Sequence, residues 1–251
     1  MPTSAMLIIA HRANITGAEP ALENSRDRTR ECIARGWSVE TDIRRDESGR
    51  FYVSHDETRW TPENDASAMC AVWRQSRALI ALNIKELGYE ADLIAFLRQH
   101  DALSHVFLFD MELLETHAGA TAQRFRELDE RVLLGARVSD RNEPVERALD
   151  IDDADVIWLD EFDGPWATAA DISALKRAGR VVLAVSPELH GASLSDAQCR
   201  WSEFIAWGID GICTDAPELL EHMLAESKRH VIDRHESVRR DIERTTIARA
   251  A

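Results

Sequence analysis

Eight times along this chain, a short run rich in Val, Ile and Leu is followed by a more polar stretch. The runs are "MLIIA", "SVETDI", "LIALNIK", "HVFLFDM", "VLLGARVS", "VIWLD", "VVLAVS" and "DGICTD". Most lack the strict alternation of a strand with one wet face. They read instead as strands covered on both faces, the condition of a parallel sheet. Several intervening stretches carry helical spacing. "ALENSRDRTRECIARG" puts Ala21, Leu22, Cys32 and Ile33 near one helical face and stops at Gly36, while "TAADISALKRAG" and "LSDAQCRWSEFIAWG" stop at Gly179 and Gly208. Eight strand–helix units in 251 residues is the size of a (β/α)8 barrel. The expected architecture is therefore a single TIM-barrel domain over residues 1–251, with 218–251 as a C-terminal helical extension. An open, doubly wound sheet is the competing arrangement. Neither a G-x-G-x-x-G turn nor a P-loop lysine motif supports a nucleotide-binding version of it.

Two segments depart from the alternation. "DESGRFYVSHDETRWTPENDASAMCAVWRQSR" reads as a small hairpin followed by a long excursion containing Trp60 and Trp73. After Pro217, Leu220, Met223 and Leu224 begin an amphipathic helix that turns highly charged beyond Lys228, a solvated extension on which a homo-oligomer contact is conceivable. The formal charge of −15 argues against nucleic acid as a partner and against adhesion to anionic membranes. The N-terminus has no basic region and only a four-residue apolar run, too short for a signal peptide or a membrane span. The four cysteines are scattered without metal-like spacing, as expected of reduced thiols in a cytoplasmic protein.

In a barrel, functional groups gather at the C-terminal ends of the strands. His11 and Arg12 end the first run. Glu40 and Asp42 lie two apart on the second, so their side chains share a face. Two carboxylates so placed repel each other unless a cation lies between them, and oxygen ligands suit Mg²⁺ or Ca²⁺. The plain alternative is ion pairing with Arg44 or Arg45. His55 and Asp56 follow "FYVS", and with His11 they make a general acid and a general base conceivable near neutral pH. Asn83 and Lys85 are again two apart; Lys85 suits a phosphate, or else snorkels at the rim.

Together these residues carry a resemblance. "AHRAN", "PALENS", "GWSVETDIRRDESGRFYVSHDET" and, near the other end, "WGIDGICTDAPELL" resemble the signature of the glycerophosphodiester phosphodiesterase family, within the phospholipase-C-like phosphodiesterase barrels. That signature runs His-Arg-Gly, Glu-Asn-Thr, a Glu-x-Asp strand, a His-Asp pair and a closing Gly-x-Asp-Gly-x-x-Thr-Asp-x-Pro. From about Met69 to Asp155 the match is carried only by "LNIK" and the rhythm of strands. The resemblance implies a metal-dependent barrel that cleaves a small glycerophosphodiester-like molecule. It implies His11 and His55 as the acid/base pair, Glu40 and Asp42 as ligands of a divalent cation, and Arg12 and Lys85 gripping phosphate.

Three departures stand out. Ala13 replaces the family's glycine. Asn83 stands where the family has the third metal-binding carboxylate, leaving Asp110 or Glu112 to compensate. The excursion after the hairpin is shorter than the family's insertion. Further polar groups stand at later strand ends, Asp160, Glu161 and Asp163 in one loop and Ser186, Glu188 and His190 in the next, with Trp158 and Trp166 as rim or core aromatics. Two other outcomes follow from the same residues: a lyase that stops at a cyclic phosphate, or a catalytically weakened barrel that binds a phosphorylated ligand.

Overall fold

The computed structural model describes residues 6–117, 119–141, 143–150 and 154–227. Nine strands form one sheet: β1 (Leu7–Ala10), β2 (Ser38–Arg45), β3 (Phe51–Val53), β4 (Ile80–Ile84), β5 (Val106–Phe109), β6 (Leu133–Ser139), β7 (Val156–Asp160), β8 (Val181–Val185) and β9 (Gly211–Thr214). β1 pairs in parallel with both β2 and β9, and every other neighbouring pair is parallel except β2 with β3. That double pairing closes eight strands into a barrel, and β3 hangs on β2 as an antiparallel hairpin arm. The fold is the (β/α)8 barrel expected from the apolar runs, all eight of which are barrel strands.

Among the described residues, seven helices lie between the strands: α1 (Arg26–Ala34), α2 (Ala66–Trp73), α3 (Glu90–Gln99), α4 (Ala120–Leu128), α5 (Val145–Asp150), α6 (Ala169–Arg177) and α7 (Leu194–Trp207). Their starts are set by local chemistry. Ser25 and Asp65 cap α1 and α2 through side-chain oxygens, and Thr168 forms a capping box with Asp171 at α6. α7 ends at Gly208, whose φ of +79° few other residues adopt cheaply. Two expectations need correction. Ala21 and Leu22 precede α1, in turns, because the Ser25 cap fixes its start four residues or so later. The long excursion contains α2, whose Met69, Cys70, Val72 and Trp73 are fully buried, so Trp73 belongs to the core.

The core has two parts. Outward strand residues such as Val39, Leu82 and Leu108 pack with Cys32, Met69, Leu93 and Phe125 from the helices. Inside the barrel, Ile9, Phe107, Phe109, Trp158, Leu183 and Cys213 fill the space. Trp158 packs 4.3 Å from Phe109, between ring centroids, as part of the core inside the barrel. Burying such large side chains supplies about 1.5–3 kcal/mol each relative to leaving them in water. The four cysteines are free, and three of them are buried.

By contacts the chain divides into two units, Met1–Pro217 and Glu218–Ala251. In the second, residues 218–227 are helical. The charged extension beyond Lys228, and any homo-oligomer contact through it, lies outside the described residues. Among the described residues no helix is long and apolar enough to cross a membrane.

Candidate active site

Strand register decides which side chains meet at the mouth. Asp42 stands opposite Asn83, and Glu40 opposite Ala81. Neighbours in register point to the same side, and Ala81 belongs to the barrel interior. Glu40, Asp42 and Asn83 therefore all face inward, and all three are buried. Beside them β1 ends in a tight turn carrying His11, Arg12 and Ala13. Arg12 and Ala13 have φ of +48° and +62°, and Asn24 and Asp110, also at this end, have +56° and +71°. Left-handed backbone costs a side-chain-bearing residue about 1–2 kcal/mol, and such cost is commonly met at functional sites. Ala13 carries that cost where glycine would avoid it.

His11 is held from both sides. Its Nδ1 lies 2.7 Å from Asp215 Oδ1, and its Nε2 lies 3.9 Å from Glu40 Oε2. Asn14 Nδ2 also donates to Asp215 Oδ1, at 2.7 Å. Burial works against an imidazolium here, but the Asp215 hydrogen bond and the charge of Glu40 outweigh it, and the pKa of His11 stands above its ordinary value. Asp215 moves down: burial opposes the shift, but the bond from His11 prevails. Glu40 is pushed up to about 7, first by burial and then by the neighbouring Asp42.

Asp42 is surrounded by donors. Asn24 Nδ2 reaches Oδ2 at 2.9 Å, Lys85 Nζ lies 3.0 Å from Oδ1, and Arg12 Nε lies 3.6 Å from Oδ2. Burial alone would raise its pKa; Lys85 and Arg12 draw it below the usual carboxylate range. Arg12 also binds Glu23 at 3.1 Å and donates its backbone N–H to Glu40 at 3.1 Å. Arg44 and Arg45 are not the partners of this carboxylate pair. They bind Glu86 and Asp92 instead, and Arg44 also holds the carbonyl of His55.

His55 follows Ser54, whose N–H donates to the Asp42 carbonyl at 3.2 Å, so the hairpin brings it to the rim next to β2. Its Nδ1 lies 2.8 Å from Asp56, and its ring is 43% exposed. His11 is thus half-buried at the end of β1 and His55 lies on the hairpin beside β2, with no direct contact between them among the described residues.

Asn83 and Asp110 turn to each other. Asn83 Nδ2 donates to Asp110 Oδ2 at 2.8 Å, and Asp110 Oδ1 is ion-paired with Arg137. Asp110 is therefore engaged on both oxygens and offers no free carboxylate beside Asp42. Asn83 Oδ1 is buried and has no hydrogen-bond partner. Among the described residues no three His, Cys, Asp or Glu side chains are gathered as a ligand set. The donors present are two carboxylates and one orphaned amide oxygen, hard oxygens that fit a divalent cation, with Arg12 and Lys85 competing for the same charge.

Arg137 and Asp215, which sequence reasoning did not single out, complete the mouth together with the later strand-end groups Asp160, Glu188 and His190. Arg137, buried on β6, ties Asp110 to Asp160, the latter at 2.5 Å. Burial opposes its charge, and Asp110, Asp160 and Glu143 together more than offset that. Its signal was a charge inside an apolar run, "LLGARVS". His190 Nε2 lies 2.5 Å from Asp160 Oδ1. Glu188 accepts from Thr214 Oγ1 at 2.5 Å and from the Asp215 N–H at 3.2 Å. Asp215 was visible only as part of the closing motif.

The fold and the placement of these groups define a (β/α)8 barrel with its polar chemistry at the C-terminal ends of the strands. Solved structures share the fold. A Galdieria sulphuraria protein assigned as a glycerophosphodiester phosphodiesterase superimposes with a TM-score of 0.69 at 18% identity, over 88% of this chain and 100% of that one. An Oleispira antarctica phosphodiesterase in complex with the product sn-glycerol-3-phosphate gives 0.65 at 18% identity, over 87% of this chain and 96% of that one. A tryptophan synthase α-subunit from Pyrococcus furiosus gives 0.50 at 16% identity, over 88% of this chain and 91% of that one, so a barrel alone does not specify a reaction. No protein-family model and no curated protein matches the chain.

Proposed function

We propose that this chain is a phosphodiesterase of the glycerophosphodiester type, a divergent relative of the glycerophosphodiester phosphodiesterases, acting on a small molecule. One observation carries the reading. The separate sequence signals His11-Arg12, Glu23-Asn24, Glu40 and Asp42, and Asp215 are spread along the chain yet meet at one barrel mouth, linked by hydrogen bonds. The neighbour that holds sn-glycerol-3-phosphate supports a glycerol phosphate product.

In this reading Arg12 and Lys85 grip the phosphoryl oxygens and stabilise the charge that grows on them. Asp215 fixes His11 with a proton on Nδ1, so Nε2 is the atom that exchanges protons with substrate. The upward shift of the His11 pKa favours its protonated form, which suits the group that protonates the departing alkoxide. His55, oriented by Asp56, takes the proton of the attacking oxygen, a water or a neighbouring hydroxyl of the substrate. Glu40, Asp42 and the Asn83 carbonyl would hold a divalent cation, Mg²⁺ or Ca²⁺, which when bound supplies Lewis-acid polarisation of the phosphoryl group.

The test is turnover of a glycerophosphodiester followed by phosphorus NMR, with added Mg²⁺ or Ca²⁺ and with chelator. An open monoester product marks a hydrolase, and a cyclic phosphate marks a lyase. His11→Ala and His55→Ala are each expected to lower turnover by about 10²–10⁴ without loss of fold. Normal turnover in either variant removes that histidine from the mechanism. A second reading, a barrel that binds a phosphorylated ligand without cleaving it, is favoured by Asn83 and by the ion pair of Lys85 with Asp42. Binding of glycerol phosphate with no cleavage under any metal condition would select it.

A further inference from the structure

Asp215 orients His11, yet it stands one position beyond β9, whose last register pair is Thr214 with Ala10. The strand ladder ends before it, and Glu188 takes over. One oxygen of Glu188, Oε1, accepts from the Thr214 hydroxyl at 2.5 Å and from the Asp215 backbone N–H at 3.2 Å. The Thr214 hydroxyl in turn accepts the Ala216 N–H at 3.0 Å. The turn from Thr214 to Ala216 is thus gathered around one carboxylate oxygen, directly or through the hydroxyl.

Glu188 is itself anchored. It lies on the single turn of 3-10 helix Pro187–His190 that follows β8. Its other oxygen, Oε2, accepts from the Ser186 hydroxyl, which accepts from the Trp201 indole N–H at 2.6 Å. Ser186, Trp201 and Thr214 are fully buried. Three donors on one carboxylate leave it little freedom. A chain of hydrogen bonds therefore runs from α7 through Ser186 and Glu188 to the Asp215 backbone. The Asp215 side chain carries it on to His11 Nδ1, 2.7 Å from Oδ1, while Asn14 holds the same oxygen from the other side.

We propose that Glu188 is a positioning residue for the His11–Asp215 pair. It fixes the direction from which Asp215 meets the imidazole, and it acts on the reaction only through Asp215. The kinetic part of this proposal rests on the phosphodiesterase reading. Alignment at this level matters, because a reacting group misplaced by about 1 Å can lose about 10²-fold in rate.

The experiment follows two readouts, turnover of a glycerophosphodiester and the His11 Nδ1 proton. It uses the wild type, Glu188→Ala, Glu188→Gln, Asp215→Ala, and Glu188→Ala combined with Asp215→Ala. Glu188→Ala should lower kcat by about 10–100-fold with KM within about threefold, because the groups that grip the substrate stay in place. Glu188→Gln keeps an acceptor oxygen for Thr214 and Asp215 and should recover most of the loss. In the Asp215→Ala background, Glu188→Ala should add less than about twofold, since its route is gone. Equal losses in both backgrounds, or a wild-type kcat in Glu188→Ala, would overturn the proposal. The second readout needs no turnover. A ring proton held between His11 and Asp215 exchanges slowly with water and gives a separate low-field line in nitrogen-edited NMR, assigned by its loss in Asp215→Ala. It should vanish in Glu188→Ala and return in Glu188→Gln. A line that persists in Glu188→Ala, or is missing from the wild type, rejects the positioning role. If the line behaves as expected and the wild type cleaves no diester, the positioning stands and the phosphodiesterase reading falls. Thr214→Val removes one of the two donors with little change of shape. It should weaken the line and lower kcat in the same direction, and if Glu188→Ala does not fold, no change in either readout for Thr214→Val overturns the proposal.

Discussion

On the proposed reading, Asn83 is the residue on which metal affinity would turn. Its amide oxygen is neutral, and a hard cation gains much of its affinity from ligand charge. Asn83→Glu is expected to bind Mg²⁺ or Ca²⁺ more tightly than the wild type by calorimetry, since the added carboxylate would occupy the place of the orphaned oxygen. Equal affinity in both would mean that another group completes the set. Glu112 offers a prediction that needs no metal. Burial pushes its pKa up to about 7, and its Oε1 accepts the Arg137 backbone N–H at 2.9 Å. A folded-state pKa above the unfolded one gives stability that is present below about pH 4.5 and lost as pH rises through about 7. Glu112→Gln keeps the acceptor and removes the charge. It should therefore raise stability at pH 8 by about 1–2 kcal/mol and do little at pH 4, as denaturant titration at both pH values would report. At this scale the sequence was most informative where chemistry is local. His11, Glu40, Asp42 and His55 announce themselves by position at strand ends. Arg137 did not, because its role depends on which face of β6 points inward and on Asp110 and Asp160 arriving on either side.

Among the elements, the strands were legible and one helix was not. A strand buried on both faces leaves a continuous apolar run, so all eight barrel strands could be read directly. α2 was hidden because it too is almost wholly apolar over Met69–Trp73, and a helix with no wet stripe has no period to detect. The start of α1 was misread because apolar spacing extends back through Ala21 and Leu22, whereas the cap at Ser25 decides where the helix begins. The seam between β1 and β9 shows how tightly elements constrain single residues. A Cβ on Gly211 would lie 2.8 Å from Leu183 Cδ2, 2.8 Å from Leu7 Cβ and 2.9 Å from the Leu7 carbonyl oxygen. The last of these is backbone and cannot step aside. Gly211→Ala should cost about 1–3 kcal/mol or more, seen as a lower midpoint in denaturant with an unchanged slope.

For the whole barrel, the polar contacts at the mouth follow the strand order. They run from Asn83 through Asp110, Arg137 and Asp160 to His190, then from Glu188 to Asp215, His11 and Glu40. Arg137 supplies the guanidinium in that path, and its carboxylate partners Asp110, Asp160 and, at 3.9 Å, Glu143 are all buried. Arg137→Ala should destabilise the barrel by about 3–5 kcal/mol, whereas Arg137→Ala combined with Asp110→Asn and Asp160→Asn should recover part of the loss, measured by thermal unfolding. His11 and Asp215 touch although 204 positions separate them in the chain. Ribosomes add roughly 5–20 residues each second, so a nascent chain carries its histidine for some tens of seconds at the slow end before the matching aspartate exists. Until β9 slots in beside β1, the imidazole lacks its Asp215 partner, and on the proposed reading the emerging polypeptide would be chemically silent.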